Sequence, residues 1–408
     1  MTERGTVAAF AATTTVGYGV LFYAYGVLLV PMEADLGWSR SFLSGAFSVA
    51  LMIAALLTIP VGRWLDRHPP RRVFLAGAVA ATALAVTWGV ANNRPLFVAT
   101  WALLGCCQAV LFYDPAFTVL TKRYDGRARQ RAITSVTLMA GLASTIFGPL
   151  TALLERTFGW RSAVLVLAAI LAVVTVPCFA LGLRPRATEP APSVDNPKPS
   201  ALPGEVFRTR DFWLLTVAYL FNAITTFGIA VHLVAYLHGR GMATGTAATA
   251  LGAVGLVQVL GRGTFLRLSA NRPSLHLATW VLAAKAAGLA VLLAVGGLPG
   301  VVLFVVVYGS ANGIATLTRA TTLADLYGPD HYGSISSVIA SISAVAGALA
   351  PFAVAAGIDL AGGYAPVFGA LVVLSGLAAL ANELVAWPSR GRGRPRVNPS
   401  HVAGEPLP

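Results

Sequence analysis

Residues 161–182 read RSAVLVLAAILAVVTVPCFALG, and after Leu183 the chain continues as RPRATEPAPSVDNPKPSALPGE over 184–205. The first stretch carries one charge, at its start. It is long enough to cross a bilayer core about 30 Å thick, which needs roughly 20 helical residues. The second is rich in proline, charge and small polar residues, and it cannot bury a core. One segment has lipid for its solvent and the next has water, so the junction marks a membrane surface.

Working outward, eleven more stretches share the first one's character. Spans are expected near 7–30, 41–63, 72–92, 95–119, 132–154 and 161–182, then near 211–237, 246–268, 274–296, 298–320, 332–357 and 364–387. The expected fold is all-α and polytopic, with twelve transmembrane helices in two pseudo-symmetric six-helix bundles. The first bundle covers 1–182 and the second 211–387. A linker at 183–210 joins them, and a tail occupies 388–408. The N-terminus MTERGTVAAF lacks a cleavable leader pattern, so the first stretch is expected to remain as a span.

Composition excludes the main alternatives. Apolar residues make up 56% of the chain and charged residues 11%, whereas soluble domains are about one quarter charged. A net charge of +13 could suit a nucleic-acid partner, but such proteins gather their basic residues on one solvated face. Here they fall in short clusters between apolar runs. With the N-terminus inside, 22 of the 29 Lys and Arg residues lie on one side and five on the other, and Arg262 and Lys285 sit within spans. That bias places both termini and the linker in the cytoplasm. Cys106, Cys107 and Cys178 lie in apolar runs without metal-ligand spacing and read as packing residues. Neither a nucleotide loop nor a metal constellation is present in the sequence, so no cofactor, no metal and no enzymatic chemistry are expected.

The halves repeat. Gly126 to Pro149 and Gly328 to Pro351 are both 23 residues, and Gly105 to Pro115 matches Gly309 to Arg319 at ten. Two halves related by an axis along the membrane normal are one way to build alternating access. Together with the six-plus-six topology, the repeat points to transport.

Between the second and third spans the chain has Gly62, Asp66, Arg67, Arg71 and Arg72. In this signature it resembles the major facilitator superfamily, whose loop reads roughly G-x-x-x-D-R-x-G-R-R; Pro69 and Pro70 stand here, with no second glycine. The resemblance implies a gating role for Gly62, Asp66, Arg67 and Arg71. A carboxylate near a helix end can pair with neighbouring arginines or face an adjacent helix N-terminus, latching one conformation. A solvated charged loop that only fixes topology is the competing account. A finer resemblance, to the monocarboxylate-porter and oxalate/formate-exchanger branch, rests on Gly37-Trp38-Ser39, Gly159-Trp160-Arg161, Gly261-Arg262 and the run LYGPDHYGSISS at 326–337. Two departures separate the chain from proton-coupled drug antiporters. Trp101 replaces their fourth-helix arginine, and Gly148-Pro149 is not followed by paired glycines.

Arg262 carries the functional expectation. It lies about 12 Å below the expected loop at 1.5 Å per residue, where a guanidinium is costly unless it faces water or a partner. The resemblance implies that an arginine here holds a substrate carboxylate, for which its fork is suited; structural pairing is the alternative. Gln258 is one turn away on the same face. Tyr308 and Asn312 share a stripe in the tenth span. Gln108, Asn222, Tyr18 and Tyr23 complete the expected substrate-binding set. His232 and Asp114 are candidates for proton coupling, against packing and capping as the plainer accounts. Lys285 falls in the ninth span, usually peripheral in this fold, and either pairs inward or reaches an interface. The branch it resembles often carries a lysine in the first or eleventh span; neither span has one here, and set against that resemblance the absence favours a singly charged substrate. The expected activity is therefore secondary transport of a small organic anion, proton-coupled or by exchange, by a monomer in the cytoplasmic membrane. Export of a drug or metabolite is the alternative, and a non-transporting membrane sensor is a remote one.

Overall fold

A computed structural model describes residues 3–124, 126–183, 206–269, 274–327 and 332–386. Most of the linker, the tail, and Gly328 to His331 of the 326–337 run lie outside the described residues. So do the side chains of Asp66 and Arg67, so their gating role rests on the resemblance alone.

The described residues are helical almost throughout. The first span is α1 (Glu3–Tyr18), a π-helical turn (Gly19–Tyr23) and α2 (Ala24–Leu36). Then come α3 (Arg40–Arg67), α4 (Pro70–Val90), α5 (Arg94–Leu111), α6 (Tyr113–Arg123), α7 (Gly126–Gly141) and α8 (Ala143–Gly182). The second half holds α9 (Arg210–Gly239), α10 (Thr244–Ser269), α11 (Ser274–Ala294), α12 (Gly297–Tyr327), α13 (Tyr332–Ala361) and α14 (Tyr364–Ala386).

Among the described residues, eleven apolar stretches are long enough to cross a membrane, one of them the 51 residues Arg131–Leu181. Gly159 divides that one. Its backbone at φ 77°, ψ 163° is open to glycine alone, so α8 turns back on itself there and supplies parts of two spans. Twelve crossings result. Large apolar side chains such as Leu56, Leu153, Val173, Leu260, Trp280 and Leu360 face outward, as lipid requires and water would not.

The two Gly-Trp motifs are corner devices at the end away from the termini. Gly37 closes α2 in a left-handed conformation, and the Ser39 side chain caps α3 by accepting from the Phe42 N–H, satisfying an orphan donor. Trp160 donates from its indole to Asp35 at 3.0 Å, and Arg161 pairs with the same carboxylate at 3.2 Å. The first-half core is aromatic: Tyr25, Phe47, Trp88 and Trp101 pack at ring separations of 4.4–6.1 Å. Trp101, standing where antiporters carry arginine, is thus wholly buried packing.

The halves meet along matching seams. Helix α3 packs on α13, and α8 on α10; these pairs are related by the repeat. At the end away from the termini, Arg40 donates to the Tyr364 hydroxyl at 2.6 Å and pairs with Glu33, while Ser41 donates to Asp359. Deeper down the α3–α13 seam, the Phe352 N–H donates to the Ser48 hydroxyl at 3.1 Å.

Candidate functional site

Lys285 organises the polar interior of the second half. It lies in α11 with no exposed surface, and its ammonium donates to Asn222 Oδ1 at 2.6 Å, Thr226 Oγ1 at 2.7 Å and Asn312 Oδ1 at 2.9 Å. The Tyr308 ring sits 5.2 Å from the same nitrogen, a cation–π contact. Asn312 then donates from Nδ2 to Gln258 Oε1 at 3.2 Å. Three helices besides α11 build this cluster. Helix α9 brings Asn222 and Thr226 on one face, four residues apart; α12 brings Tyr308 and Asn312 in the same way; α10 brings Gln258. A buried ammonium survives only if all its protons are placed, and here each is.

Four expected site residues, Asn222, Gln258, Tyr308 and Asn312, are thereby gathered. Arg262 follows Gln258 by one turn in α10. One of its Nη atoms donates across the seam to the Thr137 carbonyl of α7 at 3.1 Å, and its Nε is buried without a partner. Among the described residues neither Arg262 nor Lys285 meets a carboxylate. The Arg262 charge reaches Tyr23 and Tyr113, and the Tyr23 hydroxyl lies beside Ser144. Tyr18 stacks on Phe112 at 4.0 Å and meets Tyr113 at 4.8 Å. Tyr18 and Tyr23 thus lie in one group with Tyr113, on the first-half side of Arg262.

Other expected residues lie elsewhere. Gln108 is fully buried and donates to the Leu21 carbonyl at 2.9 Å, within the first half. His232 is buried against α13 and bonds the Pro351 carbonyl through Nε2 at 2.9 Å, in the second half's packing. Asp114 is exposed in the first turn of α6, within electrostatic reach of Tyr18 and of Arg319 from the opposite half. Arg71 donates to the Ala180 carbonyl at the end of α8 at 3.1 Å. Among the described residues, none approaches within 4 Å of the space beside Gly62. An apolar groove of about 440 Å³ lies separately at the α3–α13 seam, lined by residues such as Phe42, Met52 and Phe352. Lys285, Thr226, Tyr113 and Ser144 were not among the expected site residues. The available signals were the charge of Lys285 inside an apolar run and the four-residue spacing of Asn222 and Thr226.

The Major Facilitator Superfamily family matches residues 11–351. The chain is 24% identical to the uncharacterized MFS-type transporter YcxA of Bacillus subtilis, over 93% of this chain and 94% of that one. It is 32% identical to the cephamycin export protein CmcT of Amycolatopsis lactamdurans over 34% of this chain and 29% of the relative. Monocarboxylate transporter 4 of Rattus norvegicus is 25% identical over 84% of this chain and 74% of its own. A solved bacterial homolog of the human lysosomal transporter Spinster superposes with a TM-score of 0.71, covering 97% of this chain and 98% of its own at 15% identity. The chain belongs to the Major Facilitator Superfamily, as a multi-pass membrane transporter and not an enzyme.

Proposed function

We propose that the chain carries a small organic anion, a monocarboxylate by preference, across the cytoplasmic membrane by alternating access. One observation carries the reading: two interior cations, Arg262 and Lys285, stand one polar cluster apart with no carboxylate against either among the described residues. A charge left without an internal counter-ion deep in a membrane protein favours an anion from outside. Lys285 has spent its three protons on neutral oxygens, so Arg262 alone offers free donors, and one bidentate contact suits one carboxylate. Similarity to a protein named as a monocarboxylate transporter supports the same class. In this reading the units 1–182 and 211–387 rock about the site, driven by protons or by exchange, as a monomer with both termini cytoplasmic.

Export of a drug or metabolite is the second reading, favoured by the partial match to a protein named as a cephamycin exporter. Trp101 and the missing glycine pair after Pro149 count against the usual antiporter form of it. A thermal-shift screen of monocarboxylates on the purified chain, then uptake into right-side-out and inverted vesicles, separates the two. Stabilisation by carboxylates with inward flux supports the first. Stabilisation only by uncharged or cationic compounds overturns it.

A further inference from the structure

We infer that Lys285 is a positioning residue that sets the hydrogen-bond polarity of the substrate site through Asn312 and Gln258. The inference deepens the anion reading and rests on it for the ligand class.

An ammonium can only donate. Both Asn222 and Asn312 must therefore turn their amide oxygens toward Lys285, whichever way an isolated amide would settle. With its Oδ1 held at 2.9 Å, Asn312 has only Nδ2 left for Gln258, and it donates to Oε1 at 3.2 Å. Gln258 then has one free end, Nε2, and that end is a donor. Among the described residues the side-chain hydrogen bond of Gln258 runs through Oε1 alone, and Gln258 is half-buried rather than sealed. Arg262 stands one turn along the same face, where residues four apart are neighbours. The lysine thus lies two amides back from the site, yet its obligate polarity leaves a donor beside the Arg262 fork. If Lys285 lost its charge, Asn312 could flip, and Gln258 would present oxygen as readily as nitrogen. An oxygen there repels a carboxylate.

Three further features fit this role and not a substrate contact. The ammonium is fully buried, its protons are all used, and the Tyr308 ring packs on it. Such a charge is expensive to hold, and a lysine kept only to fill space would be replaced by Met at less cost.

The test is a double-mutant cycle on the purified full chain, with acetate, propanoate, pyruvate, lactate and benzoate as probes and Kd measured by calorimetry for the best binder. Lys285→Met should weaken binding about tenfold, the scale of one hydrogen bond to a charged group. In a Gln258→Leu background the same change should weaken it less than twofold, because the relay has already lost its end. Equal losses in both backgrounds overturn the inference, since Lys285 would then act by its field or by packing. Should Lys285→Met fail to fold, Asn312→Leu in the same two backgrounds decides by the same criterion. Binding of no probe by the wild type overturns the anion reading and this inference together. Normal binding by Arg262→Ala with an intact cycle overturns the Arg262 assignment and leaves the relay standing.

Discussion

Arg262 has five N–H donors, and among the described residues one of its hydrogen bonds is made, to a backbone carbonyl. Its Nε is sealed from solvent without a partner. So under-satisfied a side chain fits the proposed role of anion anchor. Arg262→Ala should therefore abolish saturable anion uptake by proteoliposomes, and Arg262→Lys should restore little, because one ammonium cannot reproduce the fork. The loss should amount to about 1.5–3 kcal/mol of binding, as for other charged hydrogen bonds. Near-normal uptake by the alanine variant would assign the site elsewhere. The placing of Gln258 beside Arg262, and of Asn312 with Tyr308, was legible because four-residue spacing and the rarity of charge in apolar runs are local facts. Lys285 was marked by the same rarity of charge, with inward pairing as one of its two readings, but the choice between them depends on the rotation of α11, which no local pattern encodes. Gln108 misled for a related reason. It looked like a pore residue, but it bonds the carbonyl of Leu21, inside the π-helical turn, where the ordinary i→i−4 ladder is interrupted. Sequence carries no strong mark of such a turn, so the need for a donor there was invisible.

Among the elements, α10 and α12 show how the second half holds its polar groups in register. Gly313 of α12 lies so close to α10 that a Cβ would stand 2.0 Å from the Gln258 carbonyl. Contact of that kind presses the Asn312 stripe onto Gln258. Gly313→Val should force the helices apart and destabilise the protein by about 1–3 kcal/mol, the usual cost of overpacking, read as thermal unfolding in detergent. Gly376→Ala, in α14 with open space beside it, should stay within about 0.5 kcal/mol, as surface changes do. An equal effect at both positions would show that close approach is not the cause. The spans themselves were almost fully legible, since twenty apolar residues bounded by charge admit one reading in lipid. The breaks were less so. Gly159 appeared only as part of a family motif, and the structure shows it to be the corner that divides α8. The breaks at the π turn and at Phe112, between α5 and α6, had no counterpart in the pattern of apolar residues.

At the scale of the whole molecule, the proposed orientation makes a direct prediction. Cysteines introduced at Ser193 and Ser389 should react with an impermeant maleimide only in inverted vesicles, as the 22-to-5 division of basic residues requires; reaction on intact cells would refute the topology. The opposite end of the molecule is joined by Arg40 to Tyr364 and by Ser41 to Asp359, with Glu33 holding Arg40 in place. Combining Tyr364→Phe with Asp359→Ala removes both acceptors and should free that end, and a cysteine at the buried Ser48 should then label several-fold faster in the purified protein. Unchanged labelling would show that apolar packing, not this polar clasp, keeps the seam shut. The composition of the clasp has a further consequence. Its groups are partly wetted, with the Glu33 and Arg40 side chains 30% and 19% exposed, so water replaces each broken bond nearly one for one at about 0.5–1.5 kcal/mol. The pair also feels dissolved ions, whose screening length is about 10 Å at 0.1 M and 3 Å at 1 M. Yet that pair lies wholly within the first half, and the two bonds that cross the seam each join a charge to a neutral hydroxyl, so the fastening should hold almost equally well in brine and in fresh water.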